Sequence, residues 1–451
     1  MFGNNKINFL FKFYTFRWRN ISEGKKGMSV IMKEIKRDFY LNKLIKKDGN
    51  GLIKVITGLR RCGKSYLLGT IFYNHLIVSG IPKENIIYMQ LDSKLFEKYR
   101  DSNTFMDYVL SKISDTGKYY ILIDEIQLMD DFVAVLNSFL YMKNVEVYVT
   151  GSNAKLLSKD VVTEFRGRGD EIHMYPLSFS EYLSAFNGSK YEAYDSYSLY
   201  GGLPLIMSFE TNAEKIEYLK KLIAETYLID IIQRNTIINK DDLDDLLKVI
   251  SSNDSSLTNP SRLANTFNTI KKSNMSDKTV STYISYFEDA FLINKVQRYD
   301  IKGKSYIGSP FKYYFEDIGL RNALLNFKQT DDGHILENII YNELKRRGYN
   351  VDVGVVEIND VNKDGKNIKP QYEVDFVVNL GIKKYYIQSA YSIDDDKKRE
   401  QETNSLKNIN DSFKKIIVVK DDIQPRVDDY GIVTMFWWFK WKTLVIYIKK
   451  C

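Results

Sequence analysis

The chain contains 451 residues, of which 44% are hydrophobic and 27% charged, with seven prolines and two cysteines. This length predicts two to four globular domains, and the composition excludes disordered, collagen-like and disulfide-stapled secreted proteins. The net charge is +7, and residues 1–37 carry all of it, with nine basic and two acidic residues. The remainder therefore lacks the basic excess of a protein that binds nucleic acids mainly through phosphates. Having so few cysteines predicts a reducing compartment and a cytoplasmic location.

Residues 1–30 are predicted to be a basic and aromatic extension outside the domains. Their apolar stretch is short and is interrupted by Lys12, which does not fit a signal peptide or a transmembrane helix. Two interpretations stay open. The extension is a targeting or membrane-surface segment, or translation begins at Met28 or Met32 and the preceding residues are not native protein.

Residues 31–210 have the pattern of an α/β domain. Short apolar runs rich in β-branched residues predict strands at 52–58, 86–91, 119–123 and 145–150. The segments between them are long enough for helices. Strands that alternate with helices form a parallel sheet covered on both faces.

A phosphate-binding motif follows the first of these strands. The pattern G-x-x-x-x-G-K-[ST] is satisfied by Gly58, Leu59, Arg60, Arg61, Cys62, Gly63, Lys64 and Ser65. Its position between a predicted strand and a predicted helix is the context that a P-loop requires. Lys64 is expected to contact the β- and γ-phosphates and the Ser65 hydroxyl to bind Mg²⁺. We expect Cys62 to fill the loop as a small residue rather than to be a redox-sensitive thiol.

A later strand ends in two carboxylates, Asp124 and Glu125, which is the form of a Walker B element. A buried strand places Asp124 at the carboxyl edge of the sheet beside the P-loop, where it can hold Mg²⁺, while Glu125 can orient or deprotonate the attacking water.

The string at 239–242 matches a guanine-reading Asn-Lys-x-Asp, but it lies outside the α/β region. The carboxylate pair favours ATP over GTP.

Residues 211–325 are predicted to be helical and to end in a winged helix-turn-helix. Four helices are expected, at 213–226, 241–250, 261–272 and 278–292. The last two flank a short polar turn, and strand pieces at 296–299 and 305–307 complete the outline. Hydroxyl side chains of the last helix are candidates to face a nucleic-acid groove, namely Thr279, Ser281, Thr282 and Ser285.

Residues 326–451 are predicted to form a smaller α/β domain. Its helices are expected at 334–347 and 398–408, and its strands at 351–358, 373–379, 384–389 and 415–419. A tryptophan-rich run follows, and a final strand is expected at 444–448.

Taken together, the motifs resemble a family of bacterial and archaeal AAA-type ATP-binding proteins with a C-terminal domain of unknown function. The resemblance extends from about residue 31 to about residue 420 and depends on segments 58–65, 122–127, 149–153, 165–168, 176–182 and 200–204. It implies that Ser152 and Asn153 supply a sensor group for the γ-phosphate or the attacking water. It also implies that Arg166 or, preferably, Arg168 completes the site of a neighbouring subunit in a homo-oligomer. The alternative for these arginines is a solvated pair or a local ion pair.

The C-terminal domain also resembles a restriction-endonuclease-like fold. In an active version, Glu337 would be the helix acid and Asp375 the strand acid that bind Mg²⁺. Gln388 and Ala390 stand where such a fold has Glu and Lys. An amide is a poor Mg²⁺ ligand beside a carboxylate, and alanine cannot stabilise a developing anion. We therefore expect an inactive version that is used for binding.

The predicted fold class is thus α/β, a P-loop NTPase sheet followed by a winged-helix-like region and a smaller α/β domain. The leading hypothesis is an Mg²⁺-dependent ATPase whose hydrolysis moves the C-terminal domains, with Glu125, Asn153 and Arg168 as catalytic residues. One alternative is a nucleotide-gated switch that binds DNA or a protein. A less favoured one is an active Mg²⁺-dependent nuclease. The three histidines are scattered along the chain, so no zinc site is expected.

Overall fold

The first half of the chain forms a five-stranded parallel sheet in the computed structural model. Its strand order is β2-β3-β4-β1-β5, and every neighbouring pair is parallel. The strands are β1 (Ile53–Thr57), β2 (Ile86–Gln90), β3 (Tyr119–Asp124), β4 (Val145–Thr150) and β5 (Gly169–His173). The structure describes residues 35–114, 116–152, 167–235, 237, 239–328, 331–358, 360–361, 367–393 and 396–436.

Helices cover both faces of this sheet because alternate residues of β1 point to opposite sides. Ile56 belongs to an apolar cluster with Leu68 and Phe72, whereas Val55 belongs to a second cluster that contains Phe105. The helices of this half are Asp38–Lys46, then Lys64–Tyr66 continued by the π-helical stretch Leu67–Phe72 and by Tyr73–Val78, then Ser102–Leu110, Phe132–Phe139, Phe179–Ala185 and Lys190–Tyr200.

The predicted parallel α/β sheet is confirmed, and the four expected strands agree with β1 to β4 within one residue at each end. β5 was not expected. Its sequence Gly-Asp-Glu-Ile-His has no apolar run, and it lies at the edge of the sheet, where it pairs with β1. An edge strand can carry polar side chains, so the apolar pattern does not reveal it.

Helices follow from residue 212, as predicted. Residues 260–271 and 277–289 form the expected pair of helices around a polar turn, and a hairpin of two strands comes next. The helices of this region are Asn212–Leu222, continued by the π-helical stretch Ile223–Leu228 and by Ile229–Asn235, then Lys240–Ser252, Pro260–Lys271 and Asp277–Asp289. Whether the pair and the hairpin act as a winged helix stays a prediction.

The hairpin belongs to a mixed eight-stranded sheet that runs across the predicted domain boundary at residue 325. Its order is β14-β15-β13-β12-β11-β8-β6-β7. Three helices pack with it, Ile318–Leu324, Asp332–Arg346 and Asp396–Lys407. The strands are β6 (Ile293–Asp300), β7 (Ser305–Phe315), β8 (Asn350–Glu357), β11 (Gln371–Leu380), β12 (Lys383–Ala390), β13 (Lys414–Val419), β14 (Arg426–Val427) and β15 (Ile432–Phe436), while β9 (Asp360–Val361) and β10 (Asn367–Ile368) pair separately.

The described residues from Lys36 to Phe436 belong to one compact unit, and the four domain limits given above stay predictions. β15 was not expected as a strand. The extension 1–30, the tryptophan-rich run from residue 437 onward and the strand expected at 444–448 lie outside the described residues. None of the helices in the described ranges is long and apolar enough to span a bilayer.

Candidate functional site

The P-loop connects β1 to the helix that begins at Lys64, and its backbone needs glycine. Gly58 and Gly63 have φ of 138° and 106°, and Arg61 has φ of 68°. A Cβ atom on Gly58 would lie 2.1 Å from the carbonyl oxygen of Met174. Any larger residue at position 58 would therefore displace the loop, which explains why glycine follows the strand directly.

Lys64 is buried inside the loop. Its Nζ atom donates to the carbonyl oxygens of Gly58 at 2.7 Å and of Leu59 at 3.0 Å. Since an ammonium group has three protons, these two bonds leave one donor for a further acceptor. Cys62 is also buried, and its Sγ donates to the carbonyl oxygen of Met174 at 3.2 Å. Burial raises the pKa of this thiol, which supports the interpretation of Cys62 as a filling residue.

Asp124 lies at the carboxyl end of β3, two strands away from β1 and separated from it by β4. Its Oδ1 accepts a hydrogen bond from the Thr150 hydroxyl at the end of β4. A second hydrogen bond comes from the Ser65 hydroxyl. The other oxygen, Oδ2, is buried and has no hydrogen-bond partner among the described residues. The structure thus brings together the two predicted Mg²⁺ ligands.

The environment of Asp124 suits a cation. Burial and the negative charge of Glu125 raise the pKa of this carboxyl to about 6, although the hydrogen bonds from Thr150 and Ser65 lower it. A buried carboxylate oxygen without a donor beside a hydroxyl oxygen is a ligand set that Mg²⁺ prefers. These residues therefore fit the metal ion that the sequence implies.

Glu125 is held by three neighbours that sequence reasoning did not assign to it. Its backbone lies in the left-handed region with φ of 56°, and its N–H donates to the Thr150 hydroxyl at 3.0 Å. Its Oε2 accepts from the Ser152 hydroxyl at 2.9 Å and from the Gln127 amide. Ser152 was expected to contact the γ-phosphate or the attacking water, and that role stays a prediction; here its proton is donated to Glu125. The single proton of Thr150 is used on Asp124, so Thr150 positions both carboxylate residues.

Arg168 lies at the opposite end of the sheet from the P-loop. Its carbonyl oxygen accepts from the N–H of Ile53 at 2.9 Å, directly before β5 and at the start of β1. The P-loop begins five residues later, about 16 Å along the strand. Arg168 therefore does not belong to the phosphate site of its own chain. Asn153 and Arg166 lie outside the described residues.

Side chains from the helical region contact the outside of the P-loop. The hydroxyl of Tyr227 donates to the carbonyl oxygen of Arg60 at 2.6 Å, and the Arg60 guanidinium lies 3.4 Å from the Asp230 carboxylate. No sequence signal predicts this contact, because it joins segments about 170 residues apart and depends only on how the helices pack. In the 239–242 string, the Asn239 amide donates to the Asp242 carboxylate in the first turn of the helix Lys240–Ser252.

The motif at 200–204 is explained by packing. Asp317 precedes the helix Ile318–Leu324, and its Oδ2 accepts from the N–H of Gly202 at 2.7 Å. A Cβ atom on Gly201 would lie 2.2 Å from the Asp317 carboxylate, and one on Gly319 would lie 2.1 Å from the Tyr200 carbonyl oxygen. The glycines therefore let the end of the first region approach this helix closely.

A lysine lies beside Glu337 and Asp375, the two acids expected in the C-terminal domain. Nζ of Lys312, on β7, lies 2.8 Å from Oε1 of Glu337 and 2.5 Å from Oε1 of Glu373. Asp375 is nearby, and its Oδ2 accepts from the N–H of Ser389 at 2.7 Å. Burial lowers the pKa of Lys312, but these carboxylates raise it above its usual value.

In that part of the chain which the structure describes, no three His, Cys, Asp or Glu side chains are arranged to hold a metal ion. The ammonium of Lys312 instead lies among the acids. Gln388, at the position where an active nuclease has Glu, donates to the Glu402 carboxylate at 3.0 Å.

Replacing Lys312 by methionine is expected to lower the free energy of unfolding at pH 7 by about 3–5 kcal/mol, because it leaves buried carboxylates without a cation. The loss should shrink toward pH 5, since burial raises the pKa of Asp375 and the folded variant then binds more protons than its unfolded state. Urea denaturation at both pH values measures this, with exposed Lys304→Met on the same hairpin as the control. An equal loss at both pH values would contradict the prediction.

The hydroxyls proposed to face a groove are used within their own helix. Ser281 and Thr282 donate to the carbonyl oxygens of Asp277 and Lys278 at 2.8 and 2.9 Å, and Ser285 donates to a carbonyl three residues back. Only their lone pairs remain for external contacts. DNA binding by this helix stays a prediction.

Two family models and several solved structures are similar to parts of this chain. A family model described as an AAA domain matches residues 50–183, and one described as a domain of unknown function (DUF8612) matches residues 191–331. Among solved structures, the ORC1 protein of Aeropyrum pernix in complex with DNA is 12% identical, with 66% of this chain and 94% of that chain covered and a TM-score of 0.30. Cdc6p of Pyrobaculum aerophilum is 10% identical, with coverage of 69% and 96% and a TM-score of 0.28. Similarity at this level does not indicate a shared ligand or partner.

Two relatives match much more of the sequence. An uncharacterized protein of Methanocaldococcus jannaschii is 29% identical over 388 residues, which is 82% of this chain and 80% of the relative. An uncharacterized protein of Haemophilus influenzae is 35% identical over 412 residues, which is 90% of this chain and 98% of the relative. Because that alignment covers almost the whole of both chains, and because the AAA-domain match includes the P-loop, this protein belongs to the same family of AAA-domain proteins as its Haemophilus influenzae relative.

Proposed function

We propose that the protein binds ATP with Mg²⁺ in the P-loop and hydrolyses it to ADP and phosphate. The observation that carries this proposal is the buried Oδ2 atom of Asp124, which lacks a hydrogen-bond partner in the described structure. The same carboxyl group accepts a hydrogen bond from the Ser65 hydroxyl. A buried charge without a partner is costly, and a divalent cation would compensate it.

Each group of the site has a distinct task in this proposal. The glycine-rich backbone binds the phosphates, and Lys64 turns its free donor toward the β- and γ-phosphates. Ser65 and Asp124 would hold Mg²⁺, which supplies positive charge to the phosphate oxygens. Glu125, fixed by Ser152 and Gln127, orients the water molecule and accepts its proton.

Arg168 and Asn153 complete the proposal. Since Arg168 is at the far end of the sheet from its own P-loop, we propose that it acts on the nucleotide of a neighbouring copy in a homo-oligomer. Asn153 follows Ser152 directly and is proposed to contact the γ-phosphate or the water. A size measurement with and without ATP tests the first point, and a chain that stays monomeric with ATP would exclude an arginine acting between subunits.

The coupling of hydrolysis to the C-terminal regions is supported by the contacts of the P-loop. Tyr227 and Asp230, from the helices after residue 211, touch Arg60 of the loop. A change in the loop on nucleotide binding would therefore reach these helices. There are two alternatives. A nucleotide-gated switch that binds DNA or a protein predicts nucleotide binding without turnover. A nuclease predicts cleavage that depends on Asp375.

Replacing Lys64 by alanine is expected to lower ATP hydrolysis by about 10²-fold or more, because the ammonium group that stabilises the transferred phosphate is lost. Phosphate release measured with the purified full chain tests this, with Lys83→Ala on a short surface turn as the control. Equal hydrolysis with and without Lys64 would refute the proposal. Tight ATP binding without hydrolysis by the unmodified protein would favour the switch.

A further inference from the structure

A chain of three polar side chains leads from the P-loop strand into the C-terminal half of the molecule. Thr57 is the last residue of β1, and its Oγ1 lies 3.1 Å from Nδ1 of His173 at the end of β5. Nε2 of the same imidazole lies 2.9 Å from Oε1 of Glu316, which follows β7 directly. Thr57 is fully buried, and the Glu316 side chain is 1% exposed.

The hydrogen-bond inventory defines how the imidazole is used. The Thr57 hydroxyl has one proton, which it donates to Oε1 of Glu171 at 2.6 Å. Thr57 must then accept from the Nδ1–H of His173. The hydrogen bond between Nε2 and Glu316 therefore uses a second proton, which lies between the ring nitrogen and the carboxyl oxygen. The imidazole thus bonds at both nitrogens, and it connects two segments that share no strand pairing in the described sheets.

The remaining neighbours of His173 are the Glu171 carboxylate, with Oε1 4.0 Å from Nδ1, and two aromatic rings. The rings of Tyr175 and Phe291 lie 4.5 Å and 4.8 Å from the imidazole, measured between ring centroids. The second oxygen of Glu316, Oε2, is buried without a hydrogen-bond partner in the described part of the chain. The polar contact to His173 therefore dominates the environment of Glu316, and breaking it would leave a buried carboxyl group poorly satisfied.

Both ends of this series of three side chains are linked to further hydrogen bonds. Thr57 precedes Gly58, whose carbonyl oxygen accepts from Lys64. At the other end, the main chain of Phe315 exchanges two hydrogen bonds with the Asn338 side chain on the helix Asp332–Arg346, at 2.7 and 2.8 Å. A shift of the P-loop on nucleotide binding would thus be transmitted to the eight-stranded sheet.

We propose that His173 couples the nucleotide state of the P-loop to β7 and to the helix Asp332–Arg346 through its bonds to Thr57 and Glu316. This inference rests on the proposed nucleotide binding. It assigns His173 as a positioning residue that is separate from the groups that touch phosphate. A histidine suits the role because its two ring nitrogens can bridge a hydroxyl and a carboxyl group on opposite sides.

Hydrogen exchange of the full-length protein, with and without a non-hydrolysable ATP analogue and Mg²⁺, tests the coupling. In the unmodified protein, amide exchange at 305–316 and 332–346 is expected to change by about fivefold or more when the analogue binds. His173→Gln and Glu316→Leu should reduce this change to less than about twofold while the Kd of the analogue stays near its original value. Glu316→Leu has a similar volume and carries no group that can hydrogen-bond to the imidazole, so it serves if His173→Gln does not fold.

Three further variants sharpen the test. Thr57→Val should lose the exchange response and Thr57→Ser should keep it, because serine retains the hydroxyl group. His75→Gln changes another histidine of the same region, one that contacts Ser79 on the helix after the P-loop, and should behave like the unmodified protein.

The outcomes separate the two proposals. If the unmodified protein binds no nucleotide, the proposed function fails. If it binds the analogue but exchange at 305–316 does not respond, or if His173→Gln and Glu316→Leu bind it and keep the full response, the coupling role of His173 is overturned.

Discussion

Glu125→Gln is expected to retain ATP and to hydrolyse it about 10²–10⁴-fold more slowly than the unmodified protein. The amide has nearly the shape of the carboxylate and can still bond to Ser152 and Gln127, which hold Glu125 in place. It cannot accept the proton of the attacking water. Binding and turnover should therefore separate in this variant, unlike in Lys64→Ala, where a phosphate contact is removed.

The measurement is phosphate release at saturating ATP, combined with calorimetric ATP binding. Glu84→Gln is the matched control, because Glu84 is an exposed carboxylate on a surface turn of the same region. If the Glu125→Gln protein hydrolyses ATP at the original rate, Glu125 is excluded as the base, and Asp124 becomes the next candidate.

Gly319→Ala is expected to lower the free energy of unfolding by about 3 kcal/mol or more. The new methyl group would lie 2.1 Å from the Tyr200 carbonyl oxygen and 2.9 Å from the N of Gly201, both of which are backbone atoms. The helix Ile318–Leu324 would have to move away, and the bond from Gly202 to Asp317 would be weakened with it.

Urea denaturation of the two proteins measures the effect. Gly308→Ala, on β7, is the control, because no described atom lies within 4 Å of the added Cβ. We expect it to change stability by less than about 0.5 kcal/mol. If Gly319→Ala is as stable as Gly308→Ala, the close approach of this helix does not contribute to the fold as described.

Much of the architecture was predictable because apolar periodicity reports local structure. The runs that end at Thr57 and Asp124 are buried on both faces, and both form strands of the parallel sheet. The helices from residue 240 to residue 289 agree with their amphipathic pattern within a few residues. The edge strand Gly169–His173 was missed because its pattern is polar.

The supporting residues of the site were not predictable to the same degree. Thr150 and Gln127 carry no motif of their own that assigns them to Asp124 or Glu125. Ser152 was expected to contact the γ-phosphate or the attacking water, and its bond to Glu125 depends on the relative position of two strand ends. Lys312 was not expected among the acids of the C-terminal region because it comes from the preceding hairpin.

The sequence alone determined the P-loop, the paired carboxylates and the alternation of strands and helices that forms a parallel sheet. Those features depend on residue type and on short spacing, which the chain carries locally. Only the tertiary structure decided what surrounds them, including the contact of Tyr227 with Arg60 and the bridge from Thr57 through His173 to Glu316. Such contacts join residues more than a hundred positions apart, and their distances are fixed by the packing of whole helices and sheets rather than by any local pattern.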